Sequence, residues 1–176
     1  ELVEHGVEEV VLAGHVVVER HGLHAELDEL YRRIKLPYDV ADDDWETAVR
    51  DGLRAFRSVL TQYPAALELF ASRPLPSDAA FNVLVWAYTR FTNVGVDRVN
   101  AQKAFHVAVA FTMGHVATEL GMMSTPEAEM VAYADQMEDQ DAADFIRKRL
   151  EITSDDLFEA SLDTLVAGLR SDYQLP

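Results

Sequence analysis

The sequence predicts an all-α protein with about seven or eight helices and little or no sheet. Apolar residues recur at spacings of three and four over most of the chain after residue 24, which is the spacing of one face of a helix. Helix-capping residues and prolines divide these stretches at regular places. The stretch from Glu1 to Glu19 is the exception, because its β-branched clusters leave helix and strand undecided.

The composition limits the possible classes of protein. The chain has 176 residues, of which 49% are hydrophobic, so it fits one or two domains with an ordinary core. Its formal net charge of −16 argues against binding nucleic acid or an anionic membrane by the overall field, so any DNA contact needs a local basic patch. The absence of cysteine excludes disulfides and thiolate chemistry and favours the cytoplasm. No stretch resembles a signal peptide or a transmembrane helix, and we expect no membrane partner.

Each helix is predicted from its apolar spacing and from the residues that start or stop it. Pro37 ends the first helix, Asp44 caps the second, and Ser77 caps the fourth. Asp97 can cap the fifth helix and Gly121 can end it. The segment from Met122 to Gln140 reads as an acidic loop with a possible helical turn. The predicted helices run from Ala25 to Lys35, Trp45 to Tyr63, Ala65 to Ala71, Ala79 to Asn93, Arg98 to Leu120 and Asp141 to Glu151, with a last helix after Ser154 through Leu169.

The fifth helix is the one around which the others are expected to pack. From Ala104 to Thr118 it carries no charged residue, and its apolar residues surround the whole helix. A helix of this kind is buried on more than one side, so one side can face its own domain and the other a second copy of the chain. The alternative is the central helix of a monomeric bundle. From Ala79 to Thr89 the fourth helix is also uncharged, so we expect it to be the second most buried helix.

No catalytic or metal-binding motif is present in the sequence. The chain lacks a nucleophile motif, a glycine-rich phosphate loop and an HExxH pair, so we do not expect an enzyme. His106 and His115 are nine residues apart and therefore point to opposite faces of one helix, where they cannot share a metal. His21 and His24 could do so if helical, but histidines satisfied by polar neighbours are the preferred interpretation. We expect no metal and no cofactor.

Aromatic residues indicate a small-molecule pocket. Phe56, Tyr88 and Phe105 lie on the three helices expected to be most buried, with Arg73 on a proline-rich corner between them. Apolar walls with a few polar groups are typical of such pockets. The alternative is that the rings simply pack against each other.

Two blocks of sequence resemble the regulatory domain of the TetR family of bacterial repressors, closest to the tetracycline-repressor branch. The first block runs from Asp44-Trp45 through the segment from Ala55 to Leu60 and ends at Ser72-Arg73-Pro74. The second joins the segment from Ala110 to Val116 with the segment from Leu157 to Leu169. With the helix order, the resemblance covers about residues 25 to 170.

The resemblance implies an Ω-shaped, all-helical homodimer and a ligand-responsive repressor. The fifth and last helices of both subunits would form a four-helix bundle, and a small apolar effector would release operator DNA. Residues 1–24 would be the remnant of a helix-turn-helix head, and residues 25–176 the ligand-binding and dimerisation domain. The helix from Ala25 to Lys35 would connect the two. The implied ligand-binding residues are Gly52, Phe56, Ser72, Arg73, Pro74, Leu84, Ala87, Tyr88, Phe105 and Val109. The implied dimer-interface residues are Phe111, His115, Thr118, Leu157, Phe158, Leu162, Leu165, Val166 and Leu169.

The sequence departs from the family pattern in two places. Members that bind magnesium-tetracycline have a histidine and a glutamate where this chain has Leu69 and Thr118, so a more apolar ligand without metal is expected. The stretch before the connector is also shorter than a full helix-turn-helix head. Either the recognition helix is missing from the printed chain or the protein does not read DNA. The alternative function is therefore a helical small-molecule sensor or interaction module without DNA binding.

Overall fold

The computed structural model describes residues 25–72, 77–123 and 126–176, and these residues form helices and no strand. The prediction of an all-α fold is confirmed. The expectations for Glu1 to Glu19, for the pair His21 and His24, and for a DNA-binding head lie outside the described residues. The helices are α1 (described over 25–33), α2 (Trp45–Gln62), α3 (Ala66–Ser72), α4 (Asp78–Asn93), α5 (Arg98–Met123), α6 (Glu127–Asp135), α7 (Gln140–Leu150) and α8 (Ser154–Tyr173).

The helix starts follow the capping residues in the sequence. The Asp44 carboxylate accepts the Thr47 N–H at 3.1 Å, and the Ser77 hydroxyl accepts the Ala80 N–H at 3.1 Å. Asp97 accepts from the backbone at the start of α5 in the same way. At α8 the cap is Thr153, whose hydroxyl accepts the Asp156 N–H at 3.0 Å in a capping box. Side-chain acceptors therefore fix these four starts.

The structure differs from the prediction most clearly around the end of α5, and α8 also continues past Leu169 to Tyr173. Gly121 does not end α5, which continues to Met123; a Cβ built at Gly121 would meet nothing within 4 Å. The segment after α5, expected to be a loop with a helical turn, contains the nine-residue helix α6. Pro126 directly precedes α6, and Glu127 and Glu129 in its first turn favour a helix start through their interaction with the helix dipole.

Helices α2 and α5 together lie at the centre of the packing: α2 contacts α3, α4, α5 and α8, and α5, expected to be central, contacts α2, α4 and α8. The buried positions of α5 include Ala101, Ala104, Ala108 and Thr112, whose small side chains let neighbouring helices come close. Two clusters of buried apolar residues form the core. One joins the start of α2 to α4, α5 and α8, and the other joins α1, the end of α2, α3 and Val116 of α5.

A row of ion pairs fixes α2 against α8. Arg50, Arg54 and Arg57 occupy successive turns of α2 and pair across the interface with carboxylates on α8. The distances are 2.6 Å from Arg50 Nη1 to Asp163 Oδ1, 2.6 Å from Arg54 Nη2 to Glu159 Oε2 and 2.7 Å from Arg57 Nη1 to Asp155 Oδ1. Exposed pairs of this kind each contribute little stability, about 0 to 1 kcal/mol. Their order nevertheless sets the antiparallel register of the two helices.

Helix α4 is buried along one face and open along the other, although its lack of charge gave no sign of an open face. Its buried residues are Ala79, Trp86, Arg90 and Phe91, whereas Phe81 is 63% exposed and Leu84 and Val85 are exposed. The helix packs on α2 and α5 through one face only. An uncharged sequence is therefore compatible with a helix whose other face is open.

Helices α6 and α7 form a hairpin that packs mainly on itself. Arg147 of α7 joins the two helices through Asp135, at 2.8 Å, and also pairs with Asp144 at 2.9 Å. Within the described ranges, no helix is long and apolar enough to cross a membrane.

Candidate functional site: a cavity between α2, α4 and α5

A cavity of about 420 Å³ lies between α2, α4 and α5, with α1 and α3 at one side. This volume falls in the range of about 300 to 1,000 Å³ that is usual for small-molecule sites. Both core clusters contribute side chains to its wall. The lining residues are Tyr31, Ile34, Leu36, Val49, Gly52, Leu53, Phe56, Phe70, Ala71, Val83, Trp86, Ala87, Arg90, Phe91, Phe105, His106, Ala108, Val109, Ala110 and Met113.

Aromatic rings form the wall where α1, α2 and α3 meet. Phe70 packs edge-on against Tyr31 with ring centroids 4.9 Å apart, and edge-on against Phe56 at 5.3 Å. Edge-to-face pairs at this distance hold their rings in fixed orientations. Burial raises the pKa of the Tyr31 hydroxyl, so this residue presents a neutral phenol.

Trp86 and Arg90, one turn apart on α4, form the polar part of the wall. The Arg90 guanidinium lies over the indole of Trp86, with Cζ 5.3 Å from the ring centroid. Arg90 Nη1 donates to the carbonyls of Val40 and Ala41 and, at 3.0 Å, to the carboxylate of Asp42. Arg90 therefore ties the cavity wall to the segment that connects α1 with α2.

Gly52 makes room for this arrangement. It lies in the middle of α2, and a Cβ at this position would be 2.9 Å from Cη2 of Trp86. Only a residue without a side chain lets the indole lie this close to the α2 backbone. The glycine therefore determines where the Trp86 ring is placed.

The structure brings together some of the ligand-binding residues that the family resemblance implied. Gly52, Phe56, Ala87, Phe105 and Val109 all line the cavity. Leu84 and Tyr88 do not line it; Leu84 is exposed, and Tyr88 packs against the core cluster that includes α8. Ser72 is the last residue of α3, and Arg73 and Pro74 lie outside the described residues.

The sequence reasoning missed Trp86 and Arg90. Two signals could have found them. Glycine is unfavourable in the middle of a helix, so Gly52 indicates a close approach by a large neighbour. Arg90 is the first basic residue of an otherwise uncharged stretch of α4, four residues after a tryptophan, a spacing that places both on one face.

A second groove, of about 440 Å³, lies between α5 and α8 on the far side of the molecule. Phe111 and His115 of α5 pack there against Phe158 of α8, with centroids 5.8 Å and 5.1 Å from its ring. Burial lowers the pKa of His115, with the charge of Glu119 acting in the opposite direction. His106 lines the cavity and His115 lines this groove, in agreement with the prediction that they face opposite sides of α5.

The residues implied for the dimer interface divide into two groups. Phe111, His115, Thr118, Leu157 and Leu165 are partly or fully exposed along α5 and α8. The other four are buried within the protomer, where they attach α8 to its own core. Their assignment to the dimer interface is therefore corrected. They are Phe158, Leu162, Val166 and Leu169.

A buried ion pair joins α2 to α5 between the cavity and the groove. Arg57 Nε and Nη2 donate to the two carboxylate oxygens of Glu119 at 3.0 and 2.8 Å, and the Arg57 guanidinium lies 4.7 Å above the Phe158 ring. Glu119 is the buried partner, and removing Arg57 would leave its carboxylate without compensation, which costs about 3 to 5 kcal/mol for a buried pair, whereas Arg57 without Glu119 would keep its pair with Asp155. This pair therefore holds α2, α5 and α8 in one arrangement.

No group of three or more potential ligands for a metal ion occurs among the residues that the structure describes. Leu69 packs against the core cluster of α1 and α3. Thr118 is exposed and its hydroxyl donates to the Gly114 carbonyl at 3.0 Å. The two positions at which the family's metal-binding members differ from this chain thus offer no carboxylate or imidazole to a cation.

An all-helical subunit with an apolar cavity at its centre and an open α5–α8 face defines the regulatory domain of a TetR-type, ligand-responsive regulator. The chain belongs to the tetracyclin repressor-like, C-terminal domain family, whose model matches residues 36–173. The prediction of a TetR-family regulator is confirmed.

Solved structures of the TetR family protein ActR from Streptomyces coelicolor share this fold. Apo ActR has a TM-score of 0.69 at 13% identity, over 85% of this chain and 74% of that chain. ActR in complex with actinorhodin has a TM-score of 0.71 at 13% identity, over 86% and 75%. ActR in complex with (S)-DNPA has a TM-score of 0.70 at 14% identity, over 85% and 74%. At these identities the likeness concerns the fold alone. No curated protein matches the chain.

Proposed function

We propose that residues 25–176 are the effector-binding and dimerisation domain of a TetR-type repressor, in which a small molecule bound in the cavity releases operator DNA. The cavity is the observation that carries this proposal, because its volume and its mainly apolar wall suit a small organic molecule. The complexes of ActR with actinorhodin and with (S)-DNPA support an effector for a domain of this fold. Residues 1–24 would then be part of the DNA-binding head.

The effector is mainly apolar and binds without a metal. Five residues implied for ligand binding line the cavity, and the aromatic rings of Phe56 and Phe105 are among them. No carboxylate side chain among the described residues lines it, so a hard cation would lack its preferred oxygen ligands there. The protein acts as a regulator and not as an enzyme, in the cytoplasm, where operator DNA is available.

Helix α4 transmits the effector's presence to α1. Val83, Trp86, Ala87 and Arg90 of α4 line the cavity. At its start, α4 is tied to α1, because the Asp28 carboxylate accepts the Ala79 N–H at 3.3 Å. A hydrogen bond from the Ser77 hydroxyl lowers the pKa of Asp28. A shift of α4 on ligand binding would therefore move α1, the connector to the DNA-binding head.

A second copy of the chain covers the outer face of α5 and α8. The exposed positions of these helices include small residues, most of them spaced three or four apart, which let backbones of facing helices approach closely. They are Ala110, Gly114, Ala117 and Gly121 on α5, with Ala160, Thr164, Ala167 and Gly168 on α8. A Cβ built at Gly114 or Gly168 meets nothing within 4 Å in the protomer, so space for a partner is available. This face supports the homodimer that the family resemblance implies.

Operator release by an effector is the direct test of this proposal. The full-length protein, bound to DNA selected from fragments of the host genome, would be treated with an organic extract of the host's culture. We expect the extract to release the DNA from the unmodified protein and not from Ala87→Phe, in which a ring occupies part of the cavity. Ala80→Phe, on the same helix but outside the cavity lining, is the matched control and should respond normally. Release of DNA from Ala87→Phe at the same extract concentration would rule out the cavity as the effector site.

A further inference from the structure

The polar side chains in the described part of the cavity wall can all donate hydrogen bonds, and the two on α4 can only donate them. Among the described lining residues, the side chains with polar atoms are those of Tyr31, Trp86, Arg90 and His106. None of the described lining residues is an aspartate, glutamate, asparagine, glutamine, serine or threonine. The indole and the guanidinium can donate hydrogen bonds but cannot accept them. A ligand group that meets these two side chains on α4 must therefore be an acceptor.

Two of these donors are left without a partner. Nε1 of Trp86 and Nε of Arg90 are buried and have no hydrogen-bond acceptor among the described residues. The two residues are only 8% and 6% exposed. Nearly all buried polar groups in folded proteins have a partner, and each one without a partner destabilises the folded state. Two such groups on adjacent turns of α4, both in the cavity wall, indicate that the acceptor comes from outside the chain.

We propose that the effector carries a carbonyl or carboxylate oxygen on an otherwise apolar, ring-sized body, and that this oxygen accepts hydrogen bonds from Trp86 and Arg90. The proposal rests on the proposed function, because it assigns a chemical class to the ligand of the same cavity. The apolar body lies against Phe56, Phe70 and Phe105. The oxygen lies at the α4 wall, beside the unpaired N–H groups of Trp86 and Arg90.

Arg90 keeps its other contacts when the effector is bound. Its Nη1 donates to Val40, Ala41 and Asp42, so the unpaired Nε–H is the group available to a ligand. Asp42 is highly exposed, and water screens its charge. The wall consequently accepts either a neutral carbonyl or a carboxylate and disfavours a cation, which the Arg90 charge repels.

Four naphthalene derivatives of similar size test the proposal. Calorimetric titration of the complete chain would measure binding of 2-acetylnaphthalene, 2-naphthoate, 2-ethylnaphthalene and 2-naphthylmethylammonium. Trp86→Phe removes the N–H group and keeps an aromatic ring. It should weaken binding of the acetyl or the carboxylate probe about three- to ten-fold, the loss expected for one hydrogen bond, and leave the ethyl probe unchanged. Arg90→Lys, which keeps the charge and loses Nε–H, should show the same selectivity.

Trp45→Phe is the matched control, because it is the same substitution in the other tryptophan. The indole of Trp45 donates to the Pro176 carbonyl at 3.2 Å and does not line the cavity. This variant should bind all probes as the unmodified chain does. If Trp86→Phe and Arg90→Lys weaken the binding of 2-naphthoate alone, the effector is an anion. If they also weaken the binding of 2-acetylnaphthalene, a neutral carbonyl group is sufficient.

Three other results would overturn the proposal. Equal loss of the ethyl and acetyl probes in Trp86→Phe would mean that the indole contributes only its apolar surface. Tighter binding of the ammonium than of the acetyl probe would contradict a donor-lined wall. If none of the four probes binds the unmodified chain, the assignment of a ring-sized carbonyl or carboxylate ligand is overturned, whereas the proposed function is tested separately by operator release from Ala87→Phe.

Discussion

Individual residues decide the shape of the cavity more than the helices that carry them. Gly52 costs α2 about 1 kcal/mol of helix propensity relative to alanine. In return, the Trp86 ring can lie directly against the α2 backbone. A Cβ at position 52 would be only 2.9 Å from Cη2 of Trp86. The pair Gly52 and Trp86 therefore sets how much of the space between α2 and α4 stays open to a ligand.

We expect Gly52→Ala to move the Trp86 ring into the cavity. Binding of 2-acetylnaphthalene should weaken, while the free energy of unfolding in urea should change by no more than about 1 kcal/mol, because the gain in helix propensity offsets the strain of repacking. Gly121→Ala is the control, because its Cβ meets nothing within 4 Å, and it should stabilise the protein slightly without changing binding. Unchanged binding in Gly52→Ala would show that the indole can move without narrowing the cavity.

The pH dependence of stability should depend on His115. Burial lowers its pKa in the folded state below the ordinary value of 6.5, since desolvation outweighs the charge of Glu119, and Arg57 and Arg149 act in the same direction as burial. Its contribution to stability is therefore complete above pH 6.5 and is lost as the pH falls through the lower pKa of the folded state. His115→Gln should reduce the loss of stability in urea between pH 7.5 and pH 5.5. An equal pH dependence in this variant and in the unmodified protein would assign the effect to other groups.

At the scale of helices, α5 and α8 each present two faces. One face of α8 is buried in its own protomer through Phe158 and Leu162. The other carries small residues and the partly exposed Leu165. The proposed dimer uses this second face together with the open face of α5.

Leu165→Glu should shift the protein toward monomer in sedimentation velocity. A charge in the centre of a four-helix interface loses its hydration without gaining a partner. Phe81→Glu, at an exposed apolar position on α4, is the control and should leave the sedimentation coefficient unchanged. A Leu165→Glu protein that sediments like the unmodified one would argue against the α5–α8 interface.

Helix positions could be predicted from the sequence because capping residues and apolar spacing are local signals. Asp44, Ser77 and Asp97 mark their helix starts by hydrogen bonds to residues two or three positions away. Whether a helix face is buried or exposed depends on helices that are distant in the sequence. The exposed Phe81 on α4 and the buried Phe158 on α8 both occupy apolar stretches, and only the packing of other helices distinguishes them.

The candidate site could be predicted in part for the same reason. The family resemblance pointed to Gly52, Phe56 and Phe105, which line the cavity. It did not point to Trp86 and Arg90, because their role depends on α4 facing α2 across the space above Gly52. The spacing of these two residues on α4 places them on one face, but it does not tell which helix that face meets.

For the whole molecule, the net charge of −16 sets the conditions for DNA binding. In the proposed repressor the acidic domain would repel DNA phosphates, so the affinity would have to come from basic groups in the head that displace counterions. We expect the affinity of the full-length protein for its operator to fall steeply and linearly in a plot of log K against log salt concentration. A flat dependence, measured by fluorescence anisotropy, would contradict operator binding through phosphate contacts.

The cavity lies where the two core clusters meet, so the hydrophobic interior is divided by a space that the chain does not fill. An effector that occupies this space fills the cavity and binds the folded state, because the cavity does not exist in the unfolded chain. Its binding must then raise the melting temperature, by an amount that grows with the ratio of its concentration to its dissociation constant. The melting temperature of the protein therefore reports ligand binding. Measuring it in the presence of each member of a metabolite library would identify an effector without knowledge of the operator.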